Sequence, residues 1–314
     1  MQVCVKLSND GFFTNFNAAL DWLAFGDEHN VRVGIDWSLS QAERDWDFSY
    51  GELGGGNLWE SFFDPIPCTP EADLVVTQVW TPYLRGFRGY ALYNNVGKTS
   101  FSETRRRLHD SLQRHVRLLP NITARINHFA DSIPEAKITI GVHLRNPIDS
   151  KRPYCRPPPL SRYFDCIDRI VRELPSGTSW QIFAASDREG FIENLAQRYP
   201  KRVFSQPDIS RALPDSAEIH RQGGRGRSLG LEVVSDCWLL SRCNYLVGVQ
   251  SSVCLAACVI NRQLQFVNAQ TAPMRLAGRA EYEFKKLYCD LFEGPSPDLE
   301  RATKLLKTIS RTAM

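Results

Sequence analysis

His143 and Arg145 stand two residues apart at the end of the apolar run Ile140-Gly-Val. Alternate side chains of an extended segment share a side, so the pair can present an imidazole and a guanidinium together. The planar guanidinium fork suits two oxygens of a diphosphate; a surface arginine salt-bridged near a buried histidine is the competing reading. Ser186 and Asp187 follow a second apolar run, Ile182-Phe-Ala-Ala. Small residues there let a flat ring or a ribose approach, and Asp accepts hydroxyl hydrogen bonds. Equally, Ser and Asp are favoured caps of a following helix. Leu246-Val-Gly-Val-Gln runs into Ser251, Ser252 and a helical pattern. A helix start offers unpaired N–H groups and the positive end of its dipole, and two hydroxyls add donors for a phosphate oxygen. An N-cap with no ligand would look the same. Asp236 sits among Val233, Val234, Leu239 and Leu240. A carboxylate in such surroundings needs a partner: two adjacent N–H groups of a guanine edge, solvent, or Arg242.

Positioning these residues requires the elements around them. Strand-like runs at 3–7, 31–36 and 74–79 alternate with helical patterns at 15–28, 102–118 and 121–133. The pattern then restarts, with strands at 137–144, 180–184, 245–249 and 265–267 and helices at 160–173, 189–198, 229–241 and 253–261. Such alternation predicts an α/β protein with parallel sheets covered by helices. A boundary near Pro134 divides it into an N-terminal Rossmann-like domain, 1–135, and a C-terminal domain, 136–314. Ligands of open α/β sheets bind beyond the carboxyl ends of the strands, where His143, Ser186, Asp187, Ser251 and Ser252 fall. The irregular segments 146–159 and 206–227 follow strands at that edge, and loops of this length are usually functional.

A length of 314 residues suits two cores, and 43% apolar with 23% charged residues is the balance of a globular enzyme. A net charge of +3 with dispersed basic residues points away from a nucleic-acid partner and toward a small anion. The run Arg105-Arg106-Arg107 reads as a solvated helix face. Nine cysteines form no Cys-x-x-Cys pair, and Cys254 and Cys258 are flanked by Leu and Ala as core thiols are. The expectation is a reducing, cytoplasmic setting, consistent with no leader-like start and no bilayer-length apolar stretch. Asn121-Ile-Thr123 matches a glycosylation sequon, a short pattern that recurs by chance and here lies in a helical stretch.

Taken in order, His-x-Arg after one strand, Ser-Asp after the next, and an Asp-bearing helix leading through a strand to Ser-Ser resemble the family of α1,6-fucosyltransferases and bacterial nodulation-factor fucosyltransferases. The segment Leu229 to Ser252 carries most of the resemblance, with the same distance from its acidic residue to its second serine. Asn9-Asp-Gly11-Phe12-Phe-Thr-Asn15 resembles the glycine-containing loop after that family's first strand, and Gly34-Ile-Asp-Trp37 and Phe62-Phe-Asp-Pro-Ile66 resemble bacterial members.

The resemblance implies a GT-B type fold, two Rossmann-like domains facing across a cleft. It also implies a metal-independent, inverting transferase using GDP-fucose as donor, with no cofactor and a glycan as acceptor. By the same resemblance Arg145 holds the β-phosphate with help from Ser252 beside Ser251, His143 and Asp236 contact guanosine, Asp187 and Ser186 lie near the nucleoside, and Gly11 and Phe12 face the donor. Asn146 stands where some α1,6-fucosyltransferases carry a second Arg, and Val253 where Gln is expected; of the charged residues in the following loop, Asp149 is taken as the general base. Another nucleotide sugar, a protein O-fucosyltransferase-like activity, or a non-catalytic nucleotide or glycan binder on the same fold are the alternatives.

Overall fold

The runs Gln2–Lys6, Ile138–Leu144, Trp180–Ser186 and Tyr245–Gly248 are buried along most of their length, as the inner strands of parallel sheets are. The computed structural model describes residues 2–7, 11–38, 56–69, 71–76, 101–144, 158–207, 209, 211, 226–249 and 251–270. In chain order these form β1 (Gln2–Lys6), α1 (Phe12–His29), β2 (Arg32–Asp36), a 3-10 turn (Leu58–Ser61), β3 (Leu74–Val76), α2 (Phe101–His115), α3 (Pro120–Ser132), β4 (Ile138–Leu144), α4 (Leu160–Glu173), β5 (Trp180–Ser186), α5 (Glu189–Arg198), β6 (Val203–Phe204), α6 (Gly226–Ser241), β7 (Tyr245–Gly248), α7 (Ser252–Ile260) and β8 (Gln265–Asn268).

Two parallel sheets result, ordered β2-β1-β3 and β6-β5-β4-β7-β8. In the second sheet the chain builds β4, β5 and β6 in one direction and then returns to lay β7 and β8 on the other side of β4. The reversal leaves a crevice at the carboxyl ends of β4 and β7, the place where such sheets hold ligands.

Helix α1 starts earlier than the polar pair Thr14-Asn15 suggests. Both of their N–H groups donate to Gly11 O (2.9 and 3.2 Å), and Gly11 is the extended N-cap. Burial of Phe12 and Phe13 draws the first turn into the core. Its far end closes on Asn30 in the left-handed region (φ 53), whose N–H bonds Gly26 O.

Aromatic packing joins the halves of the chain. Phe12 meets Trp37 and Phe62 edge-on (5.6 and 5.2 Å between centroids), and Trp238 of α6 packs on Phe16 and Phe63 (both 5.8 Å). Gly230 of α6 receives Phe62 so closely that a Cβ there would lie 2.3 Å from the ring tip. One apolar cluster therefore runs from β1 and α1 into α6 and α7, while a second is built around β4, β5, α4 and α5.

The arginine run is only partly a solvated face. Arg106 and Arg107 pair with Glu103, Asp110 and Glu28 at the surface, but Arg105 turns inward. Its guanidinium donates to Leu264 O (3.0 Å) and to the Cys258 and Asn261 carbonyls, and His109 Nδ1 lies 2.8 Å from Val259 O. A cation on the last carbonyls of α7 complements its dipole. Arg105→Ala leaves several buried carbonyls without a charged donor and is expected to lower stability by about 2–4 kcal/mol in denaturant unfolding; a loss below about 0.5 kcal/mol would contradict this role.

Cys4 and Cys68 form a disulfide, Cα to Cα 5.6 Å. Gly34 makes room for it: it lies level with Cys4 on the neighbouring strand, and a Cβ there would fall 2.5 Å from Pro67 O. The buried Gln2 side chain holds the same segment, donating to Pro67 O (3.0 Å) and accepting from Thr69 N (2.8 Å). Closing a loop of sequence separation 64 removes unfolded-chain entropy worth about 4 kcal/mol. The expectation of a reducing, cytoplasmic setting rests on the lack of Cys-x-x-Cys pairs, on core-like surroundings of Cys254 and Cys258 and on a start without a leader pattern; this bridge runs against it. Cys254 and Cys258 are free and buried, as their flanking residues imply, and so are Cys166, Cys237 and Cys243. Among the described residues no helix is long and apolar enough to cross a membrane.

Candidate nucleotide-binding site

The sheet register brings the carboxyl-end residues level. His143 of β4 lies between Ala185 of β5 and Gly248 of β7, and Leu144 pairs with Ser186. Gly248 lacks the side chain that would collide with Cys254, since a Cβ would sit 2.7 Å from its Sγ. That absence lets the first turn of α7 settle against β4 and β7. Ser251 is extended and caps α7, its Oγ accepting from Cys254 N at 3.1 Å. The same Oγ is 3.4 Å from His143 Nδ1, with Cys254 Sγ at 3.7 Å. His143 and Ser251, distant in sequence, thus share the crevice between β4 and β7. Burial pushes the Cys254 thiol up to about 12, so it sits under the site as a neutral, non-nucleophilic group.

Ser252 begins α7 and meets the other half of the chain. Its Oγ is 3.0 Å from Thr14 Oγ1, and its carbonyl accepts from Asn17 Nδ2 at 2.9 Å. The N-termini of α1 and α7 therefore abut, which places Gly11 beside the crevice. Gly11 is exposed, with open space where a Cβ would project. Phe12 differs from its expected donor contact: its ring is 2% exposed and locked in the aromatic core, so only its backbone belongs to the α1 terminus.

Ser186 is buried and accepts from Arg188 N at 3.1 Å, shaping the turn into α5. It is a local turn bond and not a helix cap, because α5 has Arg188 at its N-cap with no side-chain cap. Asp187 is partly buried beside it, and its charge acts on the buried Tyr163 hydroxyl, which burial first of all, with Cys254 and Cys166 also contributing, pushes up.

Asp236 lies on α6 and keeps part of its surface exposed. Neighbouring Cys237 Sγ is 3.6 Å from Val253 O, which sets this turn of α6 alongside the start of α7. Asp236 Oδ1 accepts from Gln206 Nε2 at 2.6 Å. Gln206 is buried just beyond β6, and Arg211 braces it, donating to Gln206 O (3.0 Å) while pairing with Glu189 (2.9 Å). Loss of hydration pushes the Asp236 carboxyl up to about 7; the Gln206 hydrogen bond and the Arg211 charge oppose the rise, and Glu232 adds to it.

Because the folded-state value lies above the ordinary 3.8, the stability this group contributes is fully present in acid and is lost as pH rises through about 7. A ligand that donates hydrogen bonds to the ionised form works in the opposite sense. If Asp236 accepts from guanine, as the resemblance implies, GDP affinity is expected to rise with pH and level off above about 7, falling about thirtyfold by pH 5.5. Calorimetric titration checks this, and an affinity flat from pH 5.5 to 8.5 would remove Asp236 from the ligand.

Arg145 and Asp149 lie outside the described residues. Thr14, Asn17, Gln206 and Arg211 were not singled out in the sequence. For Asn17 one signal existed, a polar residue between the apolar neighbours Phe16 and Ala18 on a largely buried helix, where it must find a partner. Among the described residues no group of three His, Cys, Asp or Glu side chains is placed to hold a metal ion. The sequence Asp45-Trp46-Asp47 has Asp-x-Asp spacing and lies outside them.

No protein-family model matches the chain, and no curated protein sequence does. Solved structures do match in fold. A crystal structure of NodZ alpha-1,6-fucosyltransferase soaked with GDP-fucose aligns with TM-score 0.51 and 17% identity over 83% of this chain and 92% of that one. Fucosyltransferase NodZ from Bradyrhizobium aligns with TM-score 0.50 and 17% identity over 83% and 93%. At that identity the likeness is one of fold, and the α/β architecture of this chain, two parallel sheets covered by helices, is the GT-B type architecture of these proteins.

Proposed function

We propose that this chain is an inverting glycosyltransferase that transfers fucose from GDP-fucose to a hydroxyl of a glycan, with Rossmann-like domains 1–135 and 136–314 facing across a cleft. The observation that carries this reading is the meeting of His143, Ser251 and Ser252 at the reversal point between β4 and β7, against the N-terminus of α1. The fold shared with a transferase soaked with GDP-fucose supports it.

In this reading the diphosphate lies at the α7 terminus, where Ser252, the first-turn N–H groups and Arg145 gather the charge that grows on the β-phosphate. Asp236, already an acceptor for Gln206, takes the N1–H and amino donors of guanine with its remaining lone pairs. The acceptor oxygen attacks the anomeric carbon as the bond to the β-phosphate breaks, GDP leaves with the electron pair, and Asp149 takes the acceptor proton.

A thermal-shift series tests the assignment, because a ligand that binds the folded state alone raises its melting temperature. GDP is expected to stabilise more than UDP, CDP or ADP, and both the shift and turnover are expected to survive chelator. Stabilisation by UDP above GDP sinks the fucosyl reading. Activity lost in EDTA and restored by Mg²⁺ or Mn²⁺ sinks metal independence and turns attention to Asp45 and Asp47.

A further inference from the structure

Away from the nucleotide site, two features of the N-terminal half agree in what they require of their surroundings. The first is the Cys4–Cys68 bridge, which pins β1 to the segment that Gly34 admits and Gln2 brackets. Structural disulfides form and persist in oxidising compartments and are rare where thiol pools are reduced. The second is the sequon Asn121-Ile122-Thr123 in the first turn of α3. Pro120 starts that helix, Asn121 is exposed, and Ala124, Arg125 and His128 continue an exposed face, while Ile122 and Ile126 point into the core. A saccharide on Asn121 would project into water without displacing a packed group. The first turn of a helix also opens most cheaply, because its N–H groups lack intrahelical partners.

We propose that the chain matures in an oxidising compartment equipped for N-glycosylation and carries an N-linked glycan on Asn121 together with the Cys4–Cys68 bridge. The Asn121 amide nitrogen bonds to the anomeric carbon of a lipid-linked oligosaccharide; the bond from that carbon to the lipid diphosphate breaks, the lipid diphosphate leaves, and the amide gives up one proton. Cys4 and Cys68 lose two protons and two electrons to a protein disulfide oxidant, which becomes a dithiol. The proposal does not depend on what the nucleotide site binds.

The test is peptide mapping of the protein from its own cells, with thiols alkylated at lysis and glycans released by an amidase in heavy-oxygen water. Heavy-oxygen aspartate at position 121 and linked Cys4 and Cys68 peptides are expected; a bare Asn121, or alkylated Cys4 and Cys68, overturns the proposal. Expressed through the secretory route, Asn121→Gln and Thr123→Ala should each lose the same glycan mass with an unchanged melting temperature, and Thr123→Ser should keep it. Retention of that mass by Asn121→Gln would place the glycan elsewhere and overturn the assignment.

Discussion

Asp236→Asn is expected to weaken GDP binding by on the order of 10²–10³-fold and to abolish the preference for GDP over ADP. A guanine edge presents two donors side by side, and only a carboxylate offers two acceptors to meet them. The amide keeps one acceptor and turns its NH₂ toward a donor, losing one charge-assisted bond and adding a repulsion, together about 3–4 kcal/mol. Folding should not suffer. The carboxyl is already pushed up to about 7 by lost hydration, so a neutral group of the same shape removes a cost above that pH while the Gln206 bond can persist. A variant whose melting temperature holds while GDP affinity collapses supports base recognition. An affinity within about threefold of the parent protein, with GDP still preferred over ADP, would leave Asp236 a structural carboxylate.

Arg145→Lys is expected to lower turnover about a hundredfold although the charge is kept. Lysine offers a point charge where arginine offers two parallel N–H donors, and a diphosphate developing charge on a leaving oxygen distinguishes them. Removing a donor that acts on transition-state charge costs about 3 kcal/mol. If Arg145 only makes a surface salt bridge, the same change alters stability by less than about 1 kcal/mol and leaves GDP affinity untouched. Affinity and turnover measured on the folded variant separate the two.

The features legible in the sequence are those written locally. The strand runs ending at Leu144, Ser186 and Gly248 carry their own hydrophobic pattern, and helices α4 and α5 match their expected spans at both ends because periodicity and flanking residues agree there. His143 and Ser251 could be named because a strand end and a helix cap leave a residue signature. What could not be read depends on contacts between remote segments. The bridge between Cys4 and Cys68 needs the strand pairing that lays Gly34 beside Cys4. Thr14 and Asn17 acquire a role only when α1 meets α7. Gln206 follows β6, a strand of two residues, too short to leave a pattern. Arg105 looked like its neighbours until packing chose it to close α7. Phe12 is the reverse case, since its loop-like motif implies a ligand contact while its ring lies in the core.

The decisive quantity is the release of GDP from GDP-fucose by the purified protein without acceptor, followed with chelator present. Slow hydrolysis of GDP-fucose is expected, faster than that of any UDP-linked sugar, unchanged by chelator and lost in Arg145→Lys. Failure to release GDP from a donor that demonstrably binds would make the chain a nucleotide-sugar binder, and preferential hydrolysis of a UDP-linked sugar would contradict the guanine site itself.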